Sequence, residues 1–301
     1  MMLGKLFCQT NYYKKHYRRA EFLGGCLVGS PIHTAVFGST QIMYAVDFSK
    51  IPSFSGVNFA LPVQPLKYDA MILEKALKNM PPAGNVIFGI CPFSFLLADF
   101  SPRQKETELF SRYHLMFSPQ ELPEELTNTP PVAKHTFEWK HFFRLFNRKE
   151  PRALRHLAAP EEYSANAGRR MKQWQQAFMV PPEYSVLLAP EAIEINCNVL
   201  RSMISLAHSR QQNVYILLPP VSKELYSALS LPVLEKYLFS PLKEATSGSR
   251  AKLLDFTADP RFSRQELFLD SLLLDDKGQQ LLSQLIADEL KKHQKQTIQD
   301  A

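Results

Sequence analysis

The stretch Thr34-Ala35-Val36-Phe37-Gly38-Ser39-Thr40-Gln41 is a short apolar run that ends in a turn of small residues. A turn of this kind after a first strand is where α/β proteins build nucleophile or phosphate sites. It also reads as a plain helix start with Ser39 or Thr40 as cap, and the local pattern leaves both open. Outward from it, runs rich in Val, Ile, Leu and Phe recur at 57–61, 86–90, 214–218 and 252–256, each bounded by turn residues. With 34–39 they make five predicted strands of the buried, parallel kind.

The segments between them carry helical periodicity. Leu66, Ala70, Met71, Leu73, Ala76, Leu77 and Met80 keep one apolar face at three-to-four spacing, so a β-α-β crossover joins the second and third strands. Residues 190–211 begin with a proline and two glutamates and then run through Ile193, Cys197, Leu200, Met203, Ile204 and Ala207, placing negative charge at the positive end of a helix dipole. The last helix starts near Asp275-Asp276-Lys277 and ends on Lys291-Lys292, again complementing the dipole. The pattern predicts an α/β fold with a doubly wound parallel sheet in the flavodoxin-like order 2-1-3-4-5.

Composition bounds the rest. The 301 residues are 45% hydrophobic and 21% charged, ordinary for a globular protein, and no linker-like stretch divides them. One domain over 1–301 is expected, with residues 100–184 as an inserted, largely helical, lid-like subdomain. That segment breaks the strand–helix rhythm with prolines at 102, 119, 123, 130, 131, 151, 160, 181 and 182 and holds an aromatic cluster from His135 to Phe146. The glycine- and proline-broken apolar stretch from Phe22 to Ala35 is too short to span a bilayer and a poor signal peptide, so a cytoplasmic protein without a transmembrane helix is expected. Cys8, Cys26, Cys91 and Cys197 show neither a CxxC pair nor metal-ligand spacing, so reduced thiols, no metal and no cofactor are expected.

The net charge of +6 comes partly from two clusters. One is Lys14, Lys15, Arg18 and Arg19 among Tyr12, Tyr13 and Tyr17; the other is the basic run from Lys134 to Arg155. Both read as solvated helix faces, and nucleic acid is not an expected partner.

The far end of the chain adds a motif. Asp270-Ser271-Leu272-Leu273-Leu274-Asp275-Asp276-Lys277-Gly278 resembles the terminal block of SGNH hydrolases, the GDSL-esterase superfamily, in which Asp-x-x-His is followed by glycine five residues after the histidine. Asp270 and Gly278 match that block, whereas Leu273 stands at the histidine position. Val36-Phe37-Gly38-Ser39-Thr40 resembles the family's first block, Val57-Asn58-Phe59-Ala60 its second, and Val86-Ile87-Phe88-Gly89 the approach to its third. Tyr215 to Val221, with Pro219-Pro220, resembles the strand-then-proline passage of alanyl-transfer and capsule-linked relatives.

The resemblance implies a serine nucleophile, a histidine base, an orienting aspartate, and a glycine amide with an asparagine side chain as oxyanion donors. It places Thr40 at the nucleophile beside Gly38 and Ser39, Asp270 as orienter, and Asn58 or Ala60 near an oxyanion position. Gly89 and Cys91 line the ligand side of the third strand. The departures are large. Threonine is stiff and branched, leucine accepts no proton, and Gly89-Ile90-Cys91-Pro92 replaces the block that carries the oxyanion asparagine. Among other bases, His33 lies at the opposite end of its strand and His293 on the order of 30 Å along the last helix. His208 reads as structural, and His135, His141 and His156 belong to the insertion. Cys91 is the alternative nucleophile by position, without an evident base. The expectation is a degenerate, non-catalytic binding module linked to surface polysaccharide, with an acylated glycan or a partner protein as ligand. The alternative is a divergent esterase or O-acyltransferase drawing its base from the insertion.

Overall fold

A computed structural model of the protein describes residues 8–9, 13–14, 17–52, 54–97, 111–127, 157, 159–179 and 191–299. The chain divides into two compact units, one of Met1–Ser30 with Phe100–Arg155 and one of Pro31–Asp99 with His156–Ala301.

In the first unit the helix α1 (Arg18–Cys26) is preceded by two buried tyrosines. Tyr13 donates its hydroxyl to Glu21 at 3.0 Å, and Ser111 donates to the Tyr17 hydroxyl at 3.2 Å. Tyr13 and Tyr17 of the first basic cluster therefore form core, while Lys14 and Arg18 stay exposed. The aromatic and basic runs from Lys134 to Arg155 lie outside the described residues.

The second unit is built on the strands β1 (Thr34–Phe37), β2 (Val57–Asn58), β3 (Asn85–Gly89), β4 (Asn213–Leu218) and β5 (Lys252–Asp255). Every neighbouring pair is parallel and the order is β2-β1-β3-β4-β5, the doubly wound arrangement that the sequence predicts. β1 and β3 are buried along their whole length, as a parallel sheet covered on both faces requires. β5, at the edge, buries only Leu254. β2 is shorter than expected because Ala60 donates its amide to the Asn58 side chain at 3.0 Å, turning the chain out of the sheet.

Helices cover both faces. Val36, Ile87, Tyr215, Leu217 and Leu254 share a core with Ile42 and Ala45 of α2 (Thr40–Ala45) and with Leu282, Ile286 and Leu290 of the last helix. Each of those last three, spaced four apart and fully buried, contributes about 1.5–3 kcal/mol by leaving water. The alternate strand residues point to the other face. There α3 (Leu66–Ala76) packs against β1, and α5 (Ala192–Ser209) packs against α3 and β4. α4 (Pro160–Met179) belongs to this unit as well and packs against α6 (Lys223–Ala228). The sequence reading placed α4 in the insertion, much of which lies outside the described residues. α7 (Ser240–Thr246) and α8 (Asp276–Gln299) complete the helices that position the site.

Candidate functional site

Because all five strands run parallel, the turns after β1, β3, β4 and β5 share one edge of the sheet. The β1 turn is tight. Gly38 has φ +146°, and a Cβ there would lie 2.6 Å from Ile42 Cγ1 and 2.8 Å from the Gly89 carbonyl oxygen, so only glycine fits. Its amide donates to Asp69 Oδ1 at 3.0 Å, and Gln64 donates to the same oxygen at 2.6 Å. Asp69 is buried, and desolvation pushes its carboxyl up to about 7 against the lowering effect of those two bonds.

Ser39 occupies the cap position of α2 but makes no capping bond. Its buried hydroxyl instead accepts from the Gln64 amide at 3.2 Å, and the Thr40 hydroxyl accepts from the Val63 amide at 3.0 Å. Both hydroxyls thus face the loop that follows β2. That loop carries backbone strain, since Val63, a β-branched residue, has φ +52°. Asn58 donates to the carbonyls of Ile42 at 2.9 Å and Val46 at 2.7 Å, closing the end of α2 while its own oxygen accepts from Ala60. To reach a ligand, its amide would have to release the helix end.

Cys91 follows β3 and is fully buried, with its sulfur 3.1 Å from the Ser94 hydroxyl. Burial pushes the thiol up to about 11, so little thiolate forms at neutral pH. Gly89 sits at the end of β3 under Ile42, whose Cδ1 would lie 2.3 Å from an added Cβ.

Two hydrogen bonds tie this edge to the terminal block. Gln41 donates to the Pro220 carbonyl at 3.3 Å, and Ser222 donates its amide to the Ser271 carbonyl at 3.0 Å. Asp270 is therefore at the carboxyl edge too. One of its oxygens accepts from the amides of Leu272 at 2.8 Å and Leu273 at 3.0 Å, which fixes the turn. The other pairs with Arg170 of α4, and both side chains are largely enclosed, at 22% and 16% exposed. Arg170 also donates to Asn166 at 3.2 Å, and Asn166 receives the Ser271 hydroxyl. Tyr163, one turn earlier, reaches the Phe268 carbonyl at 2.7 Å. Leu273, at the histidine position, is buried.

Gly278 is a second position that only glycine fills, since a Cβ there would lie 2.2 Å from the Leu267 carbonyl oxygen. Its amide donates to Asp275 at 2.7 Å, which caps α8.

Three described histidines belong to this unit, and all stand at the amino edge: His33 precedes β1, His208 ends α5 before β4, and His293 lies beside Lys252, the first residue of β5. His135, His141 and His156 lie outside the described residues. Tyr163, Asn166 and Arg170 are the contacts that sequence reading missed. Their signal is Pro160 followed by Glu161 and Glu162, a helix start hidden in a proline-rich segment, and three polar residues on one face of the helix that follows.

No protein-family model matches the sequence, and no curated protein matches it. Among solved structures, one from Streptococcus pneumonia described as "a putative platelet activating factor" is similar at 13% identity and a TM-score of 0.45, over 93% of this chain and 95% of that one. A likeness of that degree assigns no activity, and the strand order alone establishes the flavodoxin-like α/β fold.

Proposed function

We propose that this chain is a catalytically silent protein of the SGNH-hydrolase type, whose carboxyl edge binds an acyl-bearing glycan in surface-polysaccharide assembly rather than hydrolysing it. The observation that carries the reading is the state of Asp270. In a working triad that carboxylate orients an imidazole and stabilises it when protonated. Here one oxygen pairs with Arg170, the other holds the amides of Leu272 and Leu273, and the base position is a buried leucine.

The remaining parts agree. With no base beside it among the described residues, the Thr40 hydroxyl keeps the weak nucleophilicity of an alcohol, and its lone pair serves the Val63 amide. Loss of the base alone removes about a million-fold in turnover from a triad enzyme. The second-block asparagine holds a helix end, and the nearby thiol is buried in its protonated form.

The test is turnover of a chromogenic acetate ester by the wild type and by Thr40→Ala. Both should match the uncatalysed rate. Wild-type turnover that Thr40→Ala abolishes would establish the esterase or acyltransferase instead. Binding of acetylated oligosaccharides by the wild type, read by calorimetry, checks the ligand class.

A further inference from the structure

At the amino edge of the sheet, opposite the turns just described, a cavity of about 430 Å³ opens between the start of β4, the end of α5 and the approach to β5. Arg250 and Lys252 line it from positions two apart, so an extended chain presents both to one side. No carboxylate among the described residues lines it. Lys252 is held in place, with its ammonium 2.9 Å from His293 Nδ1; an ammonium has no lone pair, so the ring nitrogen accepts. Arg250 is exposed and forms no ion pair among the described residues.

The remaining lining is polar and in part unsatisfied. His208 Nε2 and Gln212 Oε1 are enclosed without a hydrogen-bond partner. The Gln212 amide cannot rotate freely to find one, because its nitrogen donates to the carbonyls of Pro81 at 3.1 Å and Arg210 at 2.8 Å. Tyr215 adds a phenol that burial pushes up to about 12, leaving it a neutral hydrogen-bonding group. Both unpartnered atoms are shut off behind the cavity wall, whereas Gln211 on the same wall is exposed and presents its amide to the opening.

We propose that this cavity is a binding site for a small organic phosphate carrying hydroxyl groups, with Arg250 and Lys252 holding the phosphate and the exposed Gln211 meeting the hydroxyl-bearing body. A guanidinium beside an ammonium matches a phosphate dianion, the fork supplying paired donors and the ammonium a point charge. The volume lies within the range of small-molecule sites and exceeds what a bare phosphate fills. The site is separate from the carboxyl-edge turns and independent of whether they catalyse anything.

The experiment is calorimetric titration of the full chain with inorganic phosphate, ribose 5-phosphate and, as a carboxylate control, citrate. The variants are Arg250→Ala, Lys252→Ala, their double, and the charge-keeping pair Arg250→Lys/Lys252→Arg. Ribose 5-phosphate should bind at least about tenfold more tightly than inorganic phosphate. Each alanine should weaken binding by about tenfold or more, as loss of a charge-assisted bond does, while the charge-keeping pair retains most of it. Both positions are exposed, so the variants should unfold at the wild-type temperature. Absence of ribose 5-phosphate binding up to about 10 mM would overturn the proposal. So would binding unchanged in the double alanine variant, or citrate bound as tightly as ribose 5-phosphate.

Discussion

The 38–40 turn and the 270–278 segment lie on the same edge of the sheet, and their polar groups are satisfied by different kinds of partner. At the first, local backbone does the work: the amides of Val63 and Gln64 hold the two hydroxyls, and a buried carboxyl, Asp69, receives the Gly38 amide. At the second, a charge from far along the chain does it, because Arg170 lies 100 residues before the Asp270 it neutralises. In both places the glycine that shapes the backbone is kept for steric reasons. Among the described residues, Asp270 is engaged by Arg170 and the Thr40 hydroxyl by the Val63 amide. The comparison teaches that packing alone can fix a glycine in a turn, since a glycine under a carbonyl oxygen is required whatever the neighbouring side chains do.

The largest expected effect breaks that geometry. Gly278→Ala forces a methyl to within 2.2 Å of a backbone oxygen and should destabilise the protein by about 3 kcal/mol or more. Gly38→Ala meets Ile42 Cγ1 at 2.6 Å and the Gly89 carbonyl oxygen at 2.8 Å and places a side chain at φ +146°, so it should lower the urea midpoint by a comparable amount. A larger loss at Gly38 would mean that the β1 turn is the more rigid of the two.

Next comes the ion pair. Removing Arg170 leaves a largely enclosed carboxylate without its cation, so Arg170→Ala should cost about 1–3 kcal/mol, below the figure for a fully buried pair. The double variant Arg170→Ala/Asp270→Ala should lose less than the sum of the singles. Additive losses would show that the two side chains do not interact.

The smallest effect separates the two turns by pH. The folded carboxyl of Asp69 is raised to about 7 from 3.8. Its contribution is therefore fully present below the unfolded value and is lost as pH rises through the folded one. Wild-type stability should fall by about 1 kcal/mol between pH 6 and pH 8 on this account, and Asp69→Asn should abolish that part of the slope. Denaturant midpoints at the two pH values decide it, and an unchanged slope in the variant would assign the dependence elsewhere.

Much of the fold is legible in the sequence because it depends on local patterns. Val36, Ile87 and Leu217 sit in apolar runs whose length and flanks announce buried strands, and the observed strands fall within one to three residues of the expected ends. The glycines at 38 and 278 are legible too, through the spacing of their blocks. What sequence reading misses is pairing across distance. Nothing local to Asp270 points to Arg170, and Asp69 looks like an ordinary helix-surface acid until Gln64 and Gly38 close over it. α4 is the clearest case. Its proline at the first position reads as one more break in a broken segment, although a proline followed by two acids is also how a helix begins.

The account stands on Asp270 being held away from catalysis by Arg170, with Leu273 in place of the base. The most direct measurement is the initial rate of 4-nitrophenyl acetate hydrolysis by the wild type, by Thr40→Ser/Leu273→His, and by that pair with Arg170→Ala added. The wild type should not exceed the uncatalysed rate, and the pair should gain weak turnover. Releasing Asp270 should raise that turnover by at least about tenfold, since an orienting carboxylate is worth up to about ten-thousand-fold in a complete triad. A triple variant no faster than the pair would contradict the claim that Arg170 diverts Asp270.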